Sequence, residues 1–224
     1  MADTVRHGNK MQIAYDHILE KILDGTYEPG YALVERKLQD ELQISRTPIR
    51  NALSRLSYEG YVVITPEKGG VVSDIQFPDL LEYYELRIAI EGLSARLAAQ
   101  RRTEEQLREM ERCLREHKES LAADRAMEAS RDDDHFHEMI ANASSNGRLA
   151  AQLDTIINQC RRASVFQNQR STKRIEKSIA EHEKILSAIR EQREDDAEHL
   201  MKEHLESVIE SAKEMMLKYY YKFR

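Results

Sequence analysis

Proline and most glycine are confined to the first 78 residues of this chain, and that asymmetry sets what it can fold into. The prolines are Pro29, Pro48, Pro66 and Pro78; beyond Pro78 only Gly92 and Gly147 interrupt a sequence rich in Glu, Lys, Arg, Leu and Ala. Such residues lose little rotamer freedom in a helix, and nothing there removes a backbone donor. Polar breaks near Arg102-Thr103, Ala123-Asp124, Asn146-Gly147, Ser171-Thr172 and Arg193-Glu194 predict about six helices in an antiparallel bundle. The expected fold is mainly α, with one unit over residues 1–76 and an all-α bundle over 77–224.

The β signal lies in the first unit. Tyr61-Val-Val-Ile-Thr65 and Val71-Val-Ser73 flank Pro66-Glu-Lys-Gly-Gly70, which reads as a hairpin. Upstream, helical spacing covers about 11–23 (Ile13, Ile18, Ile22), 35–42 (Leu38, Leu42) and Thr47 to Gly60 (Ile49, Leu53, Leu56). Pro48 suits the first turn of the third helix, where its missing N–H costs nothing. The first nine residues read as a loose tail, and Tyr219-Tyr-Tyr221 as a helix end or contact surface. The order of elements is that of a winged helix-turn-helix, which sets the start of its second helix in the DNA major groove.

Charge at first argues against DNA. The net charge is -6, and residues 1–75 carry 9 basic against 11 acidic side chains. Yet from Gln43 through Tyr58 there are three arginines (46, 50 and 55) and no acid. The positive charge therefore sits on the element that would meet DNA: Arg46 and Arg50 could read guanine, and Thr47 at the helix start suits phosphate. No apolar stretch approaches the roughly 20 residues that span a bilayer, and the first ten residues contain no apolar signal core. Cys113 and Cys160 are too few for a disulfide scaffold and share no metal-ligand spacing. These features predict a cytoplasmic protein with no membrane partner.

In the bundle, histidine falls on apolar faces. His204 lies within the stripe Ala197, Met201, Leu205, Val208, Ala212, whereas His199 points elsewhere. His182 lies within Ile175, Ile179, Ile185, Leu186, Ile189. Asp133 and His137, four apart, turn toward the side marked by Phe136 and Ile140. Buried polar groups demand partners, and one divalent cation would satisfy Asp133, His137, His182 and His204 together. Three imidazoles and a carboxylate suit zinc first, with nickel, manganese or iron as alternatives. Asp134 is the second choice for the carboxylate, ahead of Asp132.

The run Leu38-Gln-Asp-Glu-Leu-Gln-Ile-Ser-Arg-Thr-Pro-Ile-Arg-Asn-Ala-Leu-Ser-Arg-Leu-Ser-Tyr-Glu-Gly60, with Tyr27-Glu-Pro-Gly30 and Pro66…Gly69-Gly70-Val71, resembles the DNA-binding signature of the GntR family of bacterial regulators. By that resemblance Arg36, Arg46, Thr47 and Arg50 would touch DNA, and Gly69 and Gly70 would approach the minor groove. Asn51 departs from the family's usual Glu, with an effect expected on local packing. The bundle resembles the FCD ligand-binding domain of the FadR subgroup, nearer its shorter VanR-like variant. Tyr84-Glu-Leu-Arg-Ile-Ala-Ile-Glu91, Asp133-Asp-His-Phe-His137 with Asn146, Glu181-His182 and His204-Leu205 carry the match. The resemblance implies the same four metal ligands and a small organic-acid effector in the same cavity. It also implies that Arg87 meets the acid's carboxylate, against the simpler reading of a surface i,i+4 pair with Glu91.

The expectation is a homodimeric transcription factor, a repressor by preference, that binds a palindromic DNA operator and is modulated by an organic acid at a metal site. A metal sensor and a metal-dependent enzyme are the alternatives. The enzyme is set aside, because no proton-transfer partner and no G-x-S-x-G occur. The segment Gly25-Thr-Tyr-Glu-Pro-Gly30 is followed by Tyr31 and makes no phosphate loop.

Overall fold

The computed structural model describes residues 2–65, 69–167 and 172–222. The chain divides into two compact units, Met1–Phe77 with Arg161–Asn168, and Pro78–Cys160 with Gln169–Arg224.

In the first unit α1 (Ala2–Leu23), α2 (Glu35–Leu42) and α3 (Arg46–Tyr58) accompany three short strands, β1 (Ala32–Leu33), β2 (Val62–Thr65) and β3 (Gly69–Val72). Helix α1 starts at Ala2, not near residue 11: no proline interrupts residues 2–10, so helix propagates through the expected tail. The α2–α3 turn is made by Gln43, which takes a left-handed conformation (φ 54°), and by Ile44, which is buried. Ala14, Ile18 and Ile22 of α1 join Ile49, Leu53 and Leu56 of α3 in one core that also takes in Leu33, Val62 and Val72 of the sheet. Gly60 ends the turn after α3 at φ 83°, a conformation costly for other residues.

Strands β2 and β3 form the expected antiparallel hairpin, in register Val62↔Val72 to Thr65↔Gly69. Its tip, residues 66–68, lies outside the described residues. Strand β1 was not foreseen; it pairs Ala32 with Val71 and completes a sheet of order β1-β3-β2.

The remaining described helices are α4 (Phe77–Arg101), α5 (Glu104–Ala122), α6 (Ala126–Ala143), α7 (Gly147–Gln167), α8 (Thr172–Arg190) and α9 (Glu194–Lys222); all belong to the second unit except Phe77 and the end of α7 from Arg161, which count with the first. Their junctions fall at the polar breaks. A reciprocal capping box between Thr103 and Gln106 starts α5. Helix α5 packs on α6 and α8, and α8 packs on α9. The core between them includes Met110, Leu114, Phe136, Ile140, Ile185, Leu186, Met201 and Leu205. Among the described residues no helix is long and apolar enough to cross a membrane.

Candidate DNA interface and metal centre

Helix α3 has two faces. Pro48, Ile49, Ala52, Leu53 and Leu56 are buried, while Arg46, Thr47 and Arg50 are exposed, as is Arg36 on α2. The Arg46 and Arg50 side chains are 62% and 60% exposed, yet neither is unengaged. Both donate to the Glu35 carboxylate, Arg50 Nε at 2.7 Å from Oε1 and Arg46 Nε to Oε2. Arg50 first, and then Arg46, hold the Glu35 carboxyl below its usual range. Sequence reasoning missed Glu35, because the carboxylate lies on α2 and both arginines on α3.

Arg55 is tied within the unit. It donates to Glu59 at 2.9 Å and to Gln12 at 3.0 Å, and its guanidinium lies 3.9 Å from the Tyr15 ring centroid. Gly69 is exposed at φ 72°. Gly70 differs from the expectation: it is buried, and a Cβ there would stand 3.3 Å from Val62 and 3.5 Å from Leu33 and Leu53. The close approach of sheet to α3 explains this glycine. Asn51 is exposed, so its difference from Glu is one of surface charge rather than packing.

In the second unit the structure brings His137 of α6, His182 of α8 and His204 of α9 together, with ligating atoms within 4.8 Å of one another. All three are buried. Asp133 does not fall in that triad; it groups with His182 and with His117 of α5, again within 4.8 Å. Asp134 is buried outside both groups, and the Asp132 carboxylate accepts from Ser120 Oγ at 2.7 Å. His199 is exposed and pairs with Glu203.

The surroundings orient these rings. The Glu181 carboxylate accepts from His204 Nδ1 at 2.8 Å, which turns His204 Nε2 toward His182 Nε2, 3.3 Å away. Glu91, buried on α4, meets His137 Nδ1, and His137 Nε2 has no hydrogen-bond partner among the described residues. Ser178 Oγ donates to Asp133 at 2.6 Å. Phe136 stacks on His182 with centroids 4.5 Å apart. Carboxylates behind imidazoles are the usual outer partners of a metal site, since they fix the tautomer and raise ligand basicity.

Burial, helped by His204, pushes the His182 pKa well down, and burial takes His204 to about 4 despite Glu181. Against the same opposing burial, His204 and Arg174 hold Glu181 at about 2, and Arg87 and His137 hold Glu91 at about 2. The imidazoles of His182 and His204 are therefore neutral, the form that ligates metal. Two facing ring nitrogens and an orphaned third fit a divalent cation. The thiols do not join in: burial raises Cys113 to about 12 and Cys160 to about 11.

These shifts set a pH dependence. A histidine whose folded pKa lies below 6.5 contributes stability that is complete above 6.5 and is lost on acidification toward the folded value. Metal-free protein should therefore lose about 2–3 kcal/mol between pH 6.5 and 4 through His204 alone. Calorimetric unfolding in a chelator checks this; a flat midpoint across that window would contradict it.

Arg87 makes the i,i+4 pair with Glu91 of the simpler reading, but the pair lies in the interior and not on the surface. It is buried and paired with Glu91, with its guanidinium 5.5 Å from the Tyr84 ring centroid.

Residues 10–72 match the gntR family of bacterial regulatory proteins, and residues 82–207 match the FCD domain. The chain is similar to the Nta operon transcriptional regulator of Aminobacter aminovorans, 31% identical over 180 residues, which are 80% of this chain and 83% of that protein. It is similar to the HTH-type transcriptional repressor RspR of Escherichia coli, 28% identical over 191 residues, 84% and 82% of the two chains. In fold it resembles E. coli McbR/YncC, with a TM-score of 0.79 at 18% identity over 94% of this chain and 98% of that one. With its winged helix-turn-helix and its helical FCD domain, the chain belongs to the GntR family and is a transcriptional regulator, not an enzyme.

Proposed function

We propose that the chain represses transcription as a homodimer on a palindromic DNA operator. A small organic acid, bound at a divalent metal in the helical unit, modulates that binding. The observation that carries the reading is the convergence of three buried imidazoles, two of them backed by buried or half-buried carboxylates. Zinc suits this donor set first, with nickel, manganese and iron as alternatives. His137, His182 and His204, with Asp133 beside His182, would hold the ion; a bound ion offers open positions to an acid's oxygens. Repression is supported by the relative named as a repressor. A dimer is supported by Leu86 and Leu93, exposed seven residues apart on α4, and by the two half-sites that paired recognition helices need.

The effector can move operator affinity only by its difference in affinity between the two states of the regulator. The test is an operator titration of metal-loaded protein against a panel of small mono-, di- and hydroxy-acids. An acid that changes operator affinity while metal content stays constant supports the reading. Because Glu91 already neutralises Arg87, an alternative gains weight in which the metal itself is the signal. In that case stripping the metal alone changes operator affinity and no acid does.

On the DNA side, Arg36, Arg46, Thr47 and Arg50 form the contact surface, with Gly69 at the wing. Glu35 competes with phosphate for two of these arginines. Glu35→Ala should tighten binding to random duplex DNA about 2–5-fold at fixed salt, as loss of a surface ion pair worth ~0.5–1 kcal/mol implies. Fluorescence anisotropy reads the change, and equal affinities would show that Glu35 does not compete.

A further inference from the structure

His117 has no place in the four-ligand assignment, yet it is 1% exposed in the core beside those ligands. It stands on the buried stripe of α5, after Met110, Cys113 and Leu114. Its ring centroid is 6.0 Å from that of His182. Its ligating atom and those of Asp133 and His182 all lie within 4.8 Å of one another, as do those of the histidine triad. Two imidazoles and one carboxylate form a donor set that suits divalent transition metals and leaves positions open.

We propose that His117, Asp133 and His182 form a second cation position, adjoining the His137–His182–His204 position and sharing His182 with it. A neutral imidazole has one lone-pair nitrogen, so His182 serves one ion at a time. The two positions are alternatives for a single divalent ion, with His182 as their pivot. Asp133 can serve either position: its Oδ1 is held by Ser178 and lies 3.8 Å from His182 Nε2, the nitrogen that also faces His204. This inference rests on the reading that the helical unit binds a divalent metal.

The test uses full-length protein, stripped and then dialysed to equilibrium against zinc or cobalt(II). Metal content is read by elemental analysis, and coordination by the visible spectrum of cobalt. His204→Ala, and the milder His204→Gln, should keep about one ion per chain, with a changed cobalt spectrum and affinity ~10–100-fold weaker. Adding His117→Gln or His117→Ala should then remove the ion, while far-UV circular dichroism stays that of the parent. Folded His204 variants that hold no metal would overturn the proposal, as would double variants that hold as much as the single ones. Wild-type protein that takes up neither ion would refute the metal reading itself, and this inference with it.

Discussion

Replacing His182 by Ala should abolish metal uptake. His182 is the one residue common to both groups of ligating atoms, and it is fully buried. Its removal leaves His204 Nε2 without the nitrogen it faces at 3.3 Å and strips the stacked Phe136 of its partner. In wild-type protein an ion that binds only the folded state stabilises it by about 2.7 kcal/mol at a hundred times its dissociation constant. The expected result is a zinc-dependent rise in unfolding temperature for wild type and none for the variant, with metal content at background. His182→Gln separates loss of the ligand from loss of volume, since it keeps most of the bulk. A folded variant of either kind that retains stoichiometric metal would refute the site.

Arg50→Ala should weaken operator binding by about 1–3 kcal/mol, roughly 5–150-fold, if the side chain reads a base edge. The operator would be obtained by selection from random duplexes, and affinities compared at one salt concentration. A base-reading arginine changes discrimination at one position, whereas a phosphate-binding one weakens all sequences alike and lowers the salt slope by about one. Arg50 is well placed for the former, four residues beyond Arg46 on the exposed face of α3 and tied, among the described residues, to the half-buried Glu35. Arg55→Ala provides the contrast. Arg55 is held by Glu59, Gln12 and Tyr15, so its loss should act on the fold of the first unit and leave base discrimination intact. Unchanged operator affinity for Arg50→Ala would remove it from the interface.

Much of this architecture was legible because its signals are periodic. Long stretches without breakers could only be helices, and the polar breaks fell where α5 to α9 begin. His137, His182 and His204 were found because a polar ring on an apolar stripe is conspicuous. The same test applied to α5 would have found His117 after Met110 and Leu114. Applied to α4 it would have found Glu91, which follows Tyr84 and Arg87 on a buried face. Other features had no local signal. Strand β1 is two residues long, defined by its pairing with β3 and not by composition. The burial of Gly70 and the Glu35 fork arise between elements distant in sequence, where spacing carries no information.

The Glu35 fork bears on how such a regulator divides its time. A genome presents on the order of 10⁶–10⁹ competing stretches of duplex for each true target. Every one offers phosphates, and if Arg46 and Arg50 meet DNA, the carboxylate already seated between them would make each of those encounters slightly less rewarding. A target that engages both guanidinium groups in full displaces the carboxylate at a fixed cost, which only a good site recovers. Multiplied over the chromosome, a several-fold discount on the wrong sites would leave more free molecules per cell, so fewer copies would suffice to keep one target occupied.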